Sequence, residues 1–415
     1  MTILETQGLA ARHAERVLAV AGTAKKNEAL EAIAQALYQN QGYILAENEK
    51  DLAAAMAAGM KQSLLDRLDL SAARMDGIVE GVRQVAALPD PIGQVTEMST
   101  RPNGLIIGKR RVPLGVIGII YEARPNVTVD AAALCLKSGN AVILRGGKEA
   151  FRSNKAFVAV MRDALESVGL PRDCVALVED TSRESANELM GLTGYLDVLI
   201  PRGGAGLIRA VVENARVPVI ETGVGVCHVY VDARADLDMA AQIIYNAKCS
   251  RPSVCNAAEC LLVHADVADD FLPRAKALLD QKGVELRGCP RTAVILGECV
   301  VPAQASDWDA EYGDYILAVK VVDSFDEAVD FINTHGSGHS EAIVTEDYFS
   351  AQAFLDRVDA AAVYVNASTR FTDGFEFGLG AEIGISTQKM HARGPMGLTE
   401  LTSAKYIIYG TGQVR

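Results

Sequence analysis

Apolar side chains in the first ninety residues recur at the spacing of amphipathic helices. In one window they fall at intervals of three and four residues, on one face of a helix: Leu30, Ile33, Ala34, Leu37 and Tyr38. Gly42 follows this run, and a glycine just beyond the last periodic position is typical of a helix end. The pattern therefore predicts a helical N-terminal region with a helix end at Gly42.

Beyond Val112 the pattern changes to short runs rich in valine and isoleucine, each followed by a stretch with helical spacing, which is typical of parallel βαβ units. The first series predicts strands at Leu114–Tyr121, Ala141–Arg145, Cys174–Glu179, Leu196–Ile200 and Pro218–Glu221. The second predicts strands at Val226–Val231, Glu259–His264, Ile316–Val322, Ala342–Thr345 and Ala362–Asn366. Helices are predicted between them at Leu237–Lys248, Ala268–Gln281 and Phe325–Thr334. We expect two doubly wound α/β lobes that meet near Gly223–Gly225.

Two segments fit neither lobe. In Thr96–Arg111, the sequence Pro102-Asn103-Gly104 predicts a hairpin turn between extended arms, and Ala404–Tyr409 also has the composition of a strand. Both could be strands that pair between subunits. A surface hairpin and a frayed tail remain the alternative.

Composition places the 415-residue chain among ordinary globular proteins, with 49% apolar and 22% charged residues. Its 53 acidic and 40 basic residues give a net charge of −13, which disfavours binding to nucleic acid or anionic lipid. Charged residues interrupt the first twenty positions, and the longest apolar run, Val112–Tyr121, is too short to span a bilayer. Eight scattered cysteines without a CxxC pair favour reduced thiols. We expect a cytoplasmic protein.

Cys255 is the cysteine whose surroundings best suit a nucleophile. It lies in a polar, proline-containing turn before the apolar strand Glu259–His264, and Lys248 and Arg251 are close in sequence. Nearby positive charge favours the thiolate, which is the reactive form. An inert structural role remains the alternative, as we expect for the cysteines inside apolar segments: Cys135, Cys174, Cys227 and Cys260.

Two glycine turns follow predicted strands and suit a dinucleotide. Gly203 and Gly204 precede the helix Leu207–Asn214, where backbone N–H groups can approach a phosphate. At another strand end, Arg145-Gly146-Gly147-Lys148 places two cations beside two glycines. Cations there suit a 2′-phosphate, so the pattern favours NADPH/NADP over NAD. Ordinary turns that need glycine for their backbone angles remain the alternative.

Asn126 lies at the start of the predicted helix Thr128–Lys137, where its amide could cap the helix or face an oxyanion. His335 and His339 have the spacing of a ligand pair, but Gly336-Ser337-Gly338 between them denies the two rings a common helical face. The sequence therefore predicts no metal site.

Three motifs in order along the chain carry a resemblance to a known family: Tyr121-Glu122-Ala123-Arg124-Pro125-Asn126-Val127-Thr128, Arg251-Pro252-Ser253-Val254-Cys255-Asn256 and His335-Gly336-Ser337-Gly338-His339-Ser340-Glu341. The chain resembles the aldehyde dehydrogenase superfamily nearly end to end, and within it the reductases of proline biosynthesis that act on L-glutamate 5-phosphate. Phe331 stands where the signature around the last motif usually carries histidine, and we interpret it as a helix-packing position.

The resemblance implies an aldehyde dehydrogenase-like α/β fold with two doubly wound Rossmann-like lobes and a small oligomerisation hairpin and tail. It implies an NADPH-binding domain at 1–95 and 112–225 and a catalytic domain at 226–385. It assigns the oligomerisation segments to 96–111 and 386–415. A homo-oligomer is expected.

The resemblance also implies roles for single residues. Cys255 matches the nucleophile of the superfamily, and Asn126 matches its oxyanion-hole amide. Arg145 and Lys148 match positions that contact the adenosine ribose, and Glu311 is matched to the glutamate that holds the nicotinamide ribose. The position of Glu221 matches a base that activates water in aldehyde oxidation, and we assign it no role in reduction. Arg124 and the loop residues Ser368, Thr369 and Arg370 are the candidates for binding the substrate carboxylate.

The reaction that the resemblance implies is the NADPH-dependent reduction of L-glutamate 5-phosphate to L-glutamate 5-semialdehyde and phosphate through a thioester on Cys255. It also implies functional coupling to glutamate 5-kinase, which makes this substrate. Three alternatives stay open from the residues alone: an aldehyde oxidiser that uses Glu221, a cofactor-free cysteine hydrolase with His264, His335 or His339 as its base, and a binding protein that retains the fold.

Overall fold

The structure, a computed structural model, describes the backbone of residues 1–415 and all side chains except that of Ser63. The chain divides into two compact units. Unit 1 comprises Met1–Thr222, Gly378–Gly384 and Met396–Arg415, and unit 2 comprises Gly223–Phe377 and Ile385–Pro395.

Unit 1 begins with five helices: α1 Ile3–Leu18, α2 Thr23–Gln39, α3 Gln41–Ala57, α4 Gln62–Leu68 and α5 Ala72–Ala87. The predicted helical region is confirmed, and Leu30, Ile33 and Leu37 form the buried face of α2. The predicted helix end at Gly42 is wrong, because Gly42 lies inside α3. The end is at Asn40, whose backbone N–H and side-chain Nδ2 both donate to the carbonyl of Ala36.

Unit 1 also contains a three-stranded antiparallel sheet, with β2 between β1 and β16. Its strands are β1 Val95–Thr100, β2 Ile106–Pro113 and β16 Thr402–Tyr409. The predicted hairpin and C-terminal strand are confirmed, and the tail is paired with β2 along its whole length. Apolar side chains stay exposed on this sheet, among them Met98, Tyr406 and Ile408.

The parallel sheet of unit 1 has the strand order β5-β4-β3-β6. The strands are β3 Val116–Tyr121, β4 Ala141–Arg145, β5 Val175–Leu177 and β6 Val198–Arg202. The accompanying helices are α6 Pro125–Lys137, α7 Phe151–Ser167, α8 Arg183–Met190 and α9 Ala205–Asn214. The predicted strand Pro218–Glu221 is wrong: it makes one isolated bridge, between Val219 and Leu199, and Pro218 has no N–H for a ladder.

Unit 2 contains a seven-stranded parallel sheet of order β10-β9-β11-β8-β7-β12-β13. The strands are β7 Cys227–Val231, β8 Ala258–His264, β9 Glu285–Gly288, β10 Val300–Pro302, β11 Ile316–Val322, β12 Ser340–Val344 and β13 Ala362–Val365. The helices are α10 Leu237–Cys249, α11 Ala265–Leu279, α12 Pro290–Leu296, α13 Phe325–His335 and α14 Tyr348–Arg357. A two-stranded ribbon joins β14 Ile385–Ser386 to β15 Gly394–Pro395.

Both faces of this sheet are covered by helices. Leu261 of β8 packs with Phe271 of α11 on one face, whereas Leu262 packs with Phe354 of α14 on the other. Alternate residues of one strand thus enter two different cores, as the pleat of a buried parallel strand requires. The predicted α/β, doubly wound fold class is confirmed. Among the described residues, every helix is too short or too polar to cross a bilayer.

Candidate active site

Cys255 lies in the loop between α10 and β8 of unit 2 and is half-buried. Its backbone is in close contact with Gly225, because a Cβ at position 225 would lie 1.7 Å from the Cys255 carbonyl oxygen. The Cys227 thiol donates a hydrogen bond to the same oxygen over 3.2 Å. Burial, together with the charge of Glu341, holds the pKa of Cys227 well above its ordinary value, so this residue remains a donor. The Cys255 backbone is therefore held from two sides.

The loop that follows β13 braces the Cys255 loop. Arg370 donates from Nε to the hydroxyl of Ser250 over 3.0 Å and from a terminal nitrogen to Oδ1 of Asn256. The Thr369 hydroxyl donates to the carbonyl of Asn256 over 2.7 Å. These contacts join residues on both sides of Cys255 to the loop that was predicted to bind substrate.

The three predicted substrate residues of that loop differ in exposure. Ser368 and Thr369 are buried, and the Ser368 hydroxyl accepts a bond from the Arg370 N–H. Arg370 is half-buried; burial lowers its pKa, while negative charge on Asp373 and Cys255 acts to raise it. Arg370 is thus the cation of this loop that interacts with both Cys255 and solvent.

Lys248 does not have the role that its place in the sequence suggested. It is fully buried and forms an ion pair with Glu259, with 2.6 Å between Nζ and Oε2. Burial lowers the pKa of Lys248 and raises that of Glu259 to about 7. Glu259 is the counter-ion of Lys248 in this buried pair, so the expectation that Lys248 favours the Cys255 thiolate is wrong. Arg251 is exposed on the Cys255 loop.

The motif around His339 is tied to the sheet of unit 2. The Ser337 hydroxyl accepts the N–H of Val226 over 2.9 Å. Oε2 of Glu341 accepts both the backbone N–H of His228, over 2.7 Å, and its ring Nδ1, over 2.9 Å. Burial acts to lower the pKa of His228, but the charges of Glu341 and Cys260 and the hydrogen bonds to both side chains together outweigh it and raise that pKa to about 10.

The two histidines first considered as a pair have separate partners. The ring Nδ1 of His335 lies 2.8 Å from Asp309, whereas that of His339 lies 2.8 Å from the Ser340 hydroxyl. Phe331 packs edge-on against Trp308 and lies against the His335 ring, in agreement with the packing role predicted for it.

Asn126 is the second residue of α6, in unit 1, and is half-buried. The helix begins at Pro125 and has no side-chain cap, so the capping role considered for Asn126 is wrong. Its Nδ2 instead donates to Oδ2 of Asp130 over 3.0 Å. Arg124 lies directly before this helix and is also half-buried.

The end of β4 presents two cations in different settings. Arg145 is half-buried and donates to the carbonyls of Thr181 and Ser182 over 2.8 and 2.9 Å, while its buried Nε lacks a partner among the described residues. Lys148 is exposed, and it forms no ion pair within the described part of the chain. Lys148 is thus the exposed cation at this strand end.

Neighbouring side chains fill the space beside both glycines that stand between these cations. A Cβ at Gly146 would lie 2.1 Å from Nδ2 of Asn154, and a Cβ at Gly147 would lie 2.0 Å from Oε1 of Glu149. That Glu149 oxygen accepts the backbone N–H of Ala123 over 2.7 Å. The turn is therefore rigidly packed against its own helix.

The exposed turn at Gly203 and Gly204 already holds an anionic group. Oε2 of Glu122 accepts the Gly204 N–H over 2.9 Å at the N-terminus of α9. A Cβ at Gly203 would lie 2.6 Å from the same oxygen. Glu122 thus occupies the donor that the sequence assigned to a phosphate.

Two other predicted residues, Glu311 and Glu221, lie in different units. Glu311 is exposed in the segment before β11 of unit 2, and its charge acts to raise the pKa of Glu259. Glu221 is half-buried, one residue before the end of the first segment of unit 1.

Sequence reasoning missed Gly225, Glu122 and Asp130. Gly225 meets Cys255 across thirty positions of chain, a contact with no local sequence signal. Asp130 did have one: it stands four residues after Asn126, which is the spacing of helical side chains that touch.

Known proteins match this chain over nearly its whole length. The sequence pattern of the aldehyde dehydrogenase family matches residues 2–305 and 300–407. A curated gamma-glutamyl phosphate reductase from Moorella thermoacetica is 62% identical over 412 residues, covering 99% of this chain and 98% of the relative.

Solved structures also match the chain over nearly its whole length. The crystal structure of gamma-glutamyl phosphate reductase from Thermotoga maritima is 50% identical with a TM-score of 0.97, covering 100% of both chains. A propionaldehyde dehydrogenase from Rhodopseudomonas palustris shares the fold alone, with 17% identity and a TM-score of 0.70 over 97% of this chain and 96% of the other.

Proposed function

The chain belongs to the aldehyde dehydrogenase family, and we propose that within it the chain reduces L-glutamate 5-phosphate in proline biosynthesis. It is an oxidoreductase that converts this acyl phosphate into L-glutamate 5-semialdehyde and phosphate with a nicotinamide cofactor. The observation that carries this function is the 62% sequence identity to a curated reductase over 99% of this chain. The residue roles below are our proposal, supported by the contacts around each side chain.

Cys255 acts as the nucleophile. Its thiolate attacks the acyl carbon, the bond from carbon to the bridging oxygen breaks, and phosphate leaves with that electron pair. The product is a thioester on Cys255. Arg370 supports the thiolate as the neighbouring cation, and its hydrogen bonds to Ser250 and Asn256 hold the loop in place.

Asn126 stabilises the oxyanion that forms when the carbonyl carbon becomes tetrahedral. A neutral amide N–H donor suits this charge because it need not lose a proton during the reaction. The same donor serves twice, once when phosphate is expelled and once when the thioester is reduced. The nicotinamide cofactor supplies the hydride for that reduction, after which the tetrahedral carbon expels the Cys255 thiolate and leaves the aldehyde.

NADPH is the cofactor that the end of β4 favours. Lys148 offers an exposed charge with no ionic partner among the described residues, and the half-buried guanidinium of Arg145 is a second positive charge at the same strand end. Both groups suit a 2′-phosphate better than a ribose hydroxyl. Gly146 and Gly147 shape this turn, Gly203 and Gly204 are assigned to the cofactor phosphates, and Glu311 is assigned to the nicotinamide ribose.

The substrate carboxylate is assigned to Arg124 and to the loop Ser368, Thr369 and Arg370. Because the Thr369 side chain is buried and bonded to Asn256, its part is to shape the loop, whereas Arg370 can form the ionic contact. Glu221 receives no role in reduction, since a base that activates water would hydrolyse the thioester.

We also propose a cytoplasmic location and a homo-oligomeric assembly. Cysteines without cross-links suit a reducing cytoplasm. The exposed apolar side chains of β1 and β16 support a homo-oligomer that uses the segments 96–111 and 386–415. A labile acyl phosphate also favours functional coupling to glutamate 5-kinase.

Substitution of Cys255 tests the mechanism. Cys255→Ala should abolish phosphate-dependent reduction of NADP by glutamate 5-semialdehyde while NADPH binding, followed by fluorescence, is retained. Cys299→Ala is the matched control, because Cys299 is an exposed cysteine of the same unit. Turnover by the Cys255→Ala enzyme would contradict the thioester mechanism, and turnover of the native enzyme without phosphate would indicate an aldehyde oxidiser instead.

A further inference from the structure

Asn126 and Asp130 form the one incompletely buried patch of α6 among its described side chains. The helix has thirteen residues from Pro125 to Lys137, and eleven of them are buried. The other two are Asn126 and Asp130, which stand four positions apart and therefore lie on the same face. The helix thus presents a single open site, and both of its side chains are polar.

The two side chains are hydrogen-bonded. Nδ2 of Asn126 donates to Oδ2 of Asp130 over 3.0 Å. A side-chain amide has two N–H donors and one carbonyl acceptor. When a carboxylate accepts one N–H, the amide nitrogen is fixed on that side and the second N–H points in a defined direction.

Helix stability does not explain Asp130. It is the sixth residue of α6, beyond the first turn in which a negative charge gains from the helix dipole. Asp and Asn are also poorer helix formers than alanine. Burial raises the pKa of Asp130 to about 6, against the opposing effects of the Asn126 hydrogen bond and the Arg202 charge. Its ionised form is therefore maintained at a cost to the folded state.

Arg202 offsets the negative charge at this site. It ends β6, where it pairs with Tyr121 of the neighbouring strand β3, and its positive charge acts on Asp130. An uncompensated carboxylate beside an oxyanion would oppose the reaction. The Arg202 charge reduces this opposition in part, although burial remains the larger effect on the pKa of Asp130.

We propose that Asp130 is a positioning residue that accepts one N–H of Asn126 and thereby directs the second N–H toward the oxyanion of the reaction. This role rests on the proposed function, in which Asn126 is the oxyanion donor. Asp130 itself touches neither substrate nor cofactor.

Four variants test the role: Asp130→Ala, Asp130→Asn, Asn126→Ala and the double variant Asn126→Ala/Asp130→Ala. Phosphate-dependent reduction of NADP by glutamate 5-semialdehyde gives kcat and KM, and urea unfolding gives stability. Asp76→Asn is the control, since Asp76 is an exposed carboxylate on α5 of the same unit.

In Asp130→Ala we expect kcat to fall about 10- to 100-fold, because a misoriented donor loses much of its effect. KM for NADP should change little, and the urea midpoint should stay the same or rise because alanine favours the helix. Asp130→Asn keeps an oxygen acceptor and should recover most of kcat. The double variant should be no slower than Asn126→Ala, because Asp130 acts only through that amide.

Three results would overturn the positioning role. They are full kcat in Asp130→Ala when Asn126→Ala is impaired, a double variant whose losses multiply, or a fall in kcat that follows a fall in stability. Full kcat in Asn126→Ala would overturn the oxyanion role of Asn126 itself. If Asp130→Ala does not fold, the test compares the kcat of Asp130→Asn with that of Asn126→Ala. A loss of kcat in Asp130→Asn as large as that in Asn126→Ala would contradict the positioning role, because Asp130→Asn keeps an oxygen acceptor.

Discussion

The α-carbon of Gly225 approaches the carbonyl of Cys255 so closely that a Cβ at position 225 would lie 1.7 Å from that oxygen. A backbone atom cannot yield as a flexible side chain can, so any larger residue must displace the loop that carries Cys255, the proposed nucleophile. This contact makes Gly225 the position at which a single methyl group tests the placement of Cys255.

We therefore expect Gly225→Ala to lower kcat by about 100-fold, as a displacement near 1 Å does, and to cost about 1–3 kcal/mol of unfolding free energy. Kinetics and urea unfolding measure the two effects. Gly77→Ala is the control, since Gly77 lies in α5 with no atom within 4 Å of its Cβ position, and should gain about 0.5–1 kcal/mol. Normal kcat in Gly225→Ala would show that the loop tolerates the shift.

Removal of the Glu122 charge should strengthen the binding of the cofactor. Its carboxylate holds the Gly204 N–H at the start of α9, so a cofactor phosphate that uses this N–H must displace a like charge. Glu122→Gln should therefore bind NADPH about three- to tenfold more tightly in a fluorescence titration. Glu80→Gln, at an exposed position of α5, should leave the affinity unchanged. Weaker binding by Glu122→Gln would instead make Glu122 a ligand of the cofactor.

Lys148 predicts the choice between the two nicotinamide dinucleotides. If its exposed ammonium meets the 2′-phosphate, Lys148→Gln should lower kcat/KM for NADPH by about 10- to 100-fold and leave that for NADH nearly constant. The control is Lys155→Gln on α7, whose lysine pairs with Glu179. An equal loss with both cofactors would contradict recognition of the 2′-phosphate by Lys148.

The His228–Glu341 pair predicts a pH dependence of stability. The folded protein raises the pKa of His228 from 6.5 to about 10, so between these values it binds a proton that the unfolded chain releases. The stabilisation is full below pH 6.5 and is lost as pH rises through about 10. Urea unfolding at pH 7 and 9 should show a smaller loss in His228→Gln than in the native chain. Equal losses would mean that His228 is neutral in the folded state.

Sequence patterns predicted the parts of this fold that depend on local composition. Ala141–Arg145 and Ile316–Val322 are strands with the predicted bounds, because buried parallel strands are continuous apolar runs. The strands Glu285–Gly288 and Val300–Pro302 were missed because they are short, lie toward one edge of the sheet and include polar residues or proline.

The candidate site was predictable only where a motif carried it. Cys255 and Asn126 stand in motifs, but the partners that hold them come from packing. Closeness in sequence did not identify the cation near Cys255. Lys248 is seven positions from Cys255, yet it is buried against Glu259. Arg370, 115 positions away (370 − 255), is the cation that reaches the Cys255 loop.

Pairing of β2 with β16 imposes an order on biosynthesis. The strands join Pro113 to Thr402, so a ribosome adds 289 residues (402 − 113), including all of unit 2, before the second edge of β2 can be covered. At about 5–20 residues per second, that edge stays open for roughly 15–60 s on each nascent chain. An open strand edge can pair with another chain. Crowding of nascent chains on one messenger is therefore a condition under which this strand edge can pair with another chain.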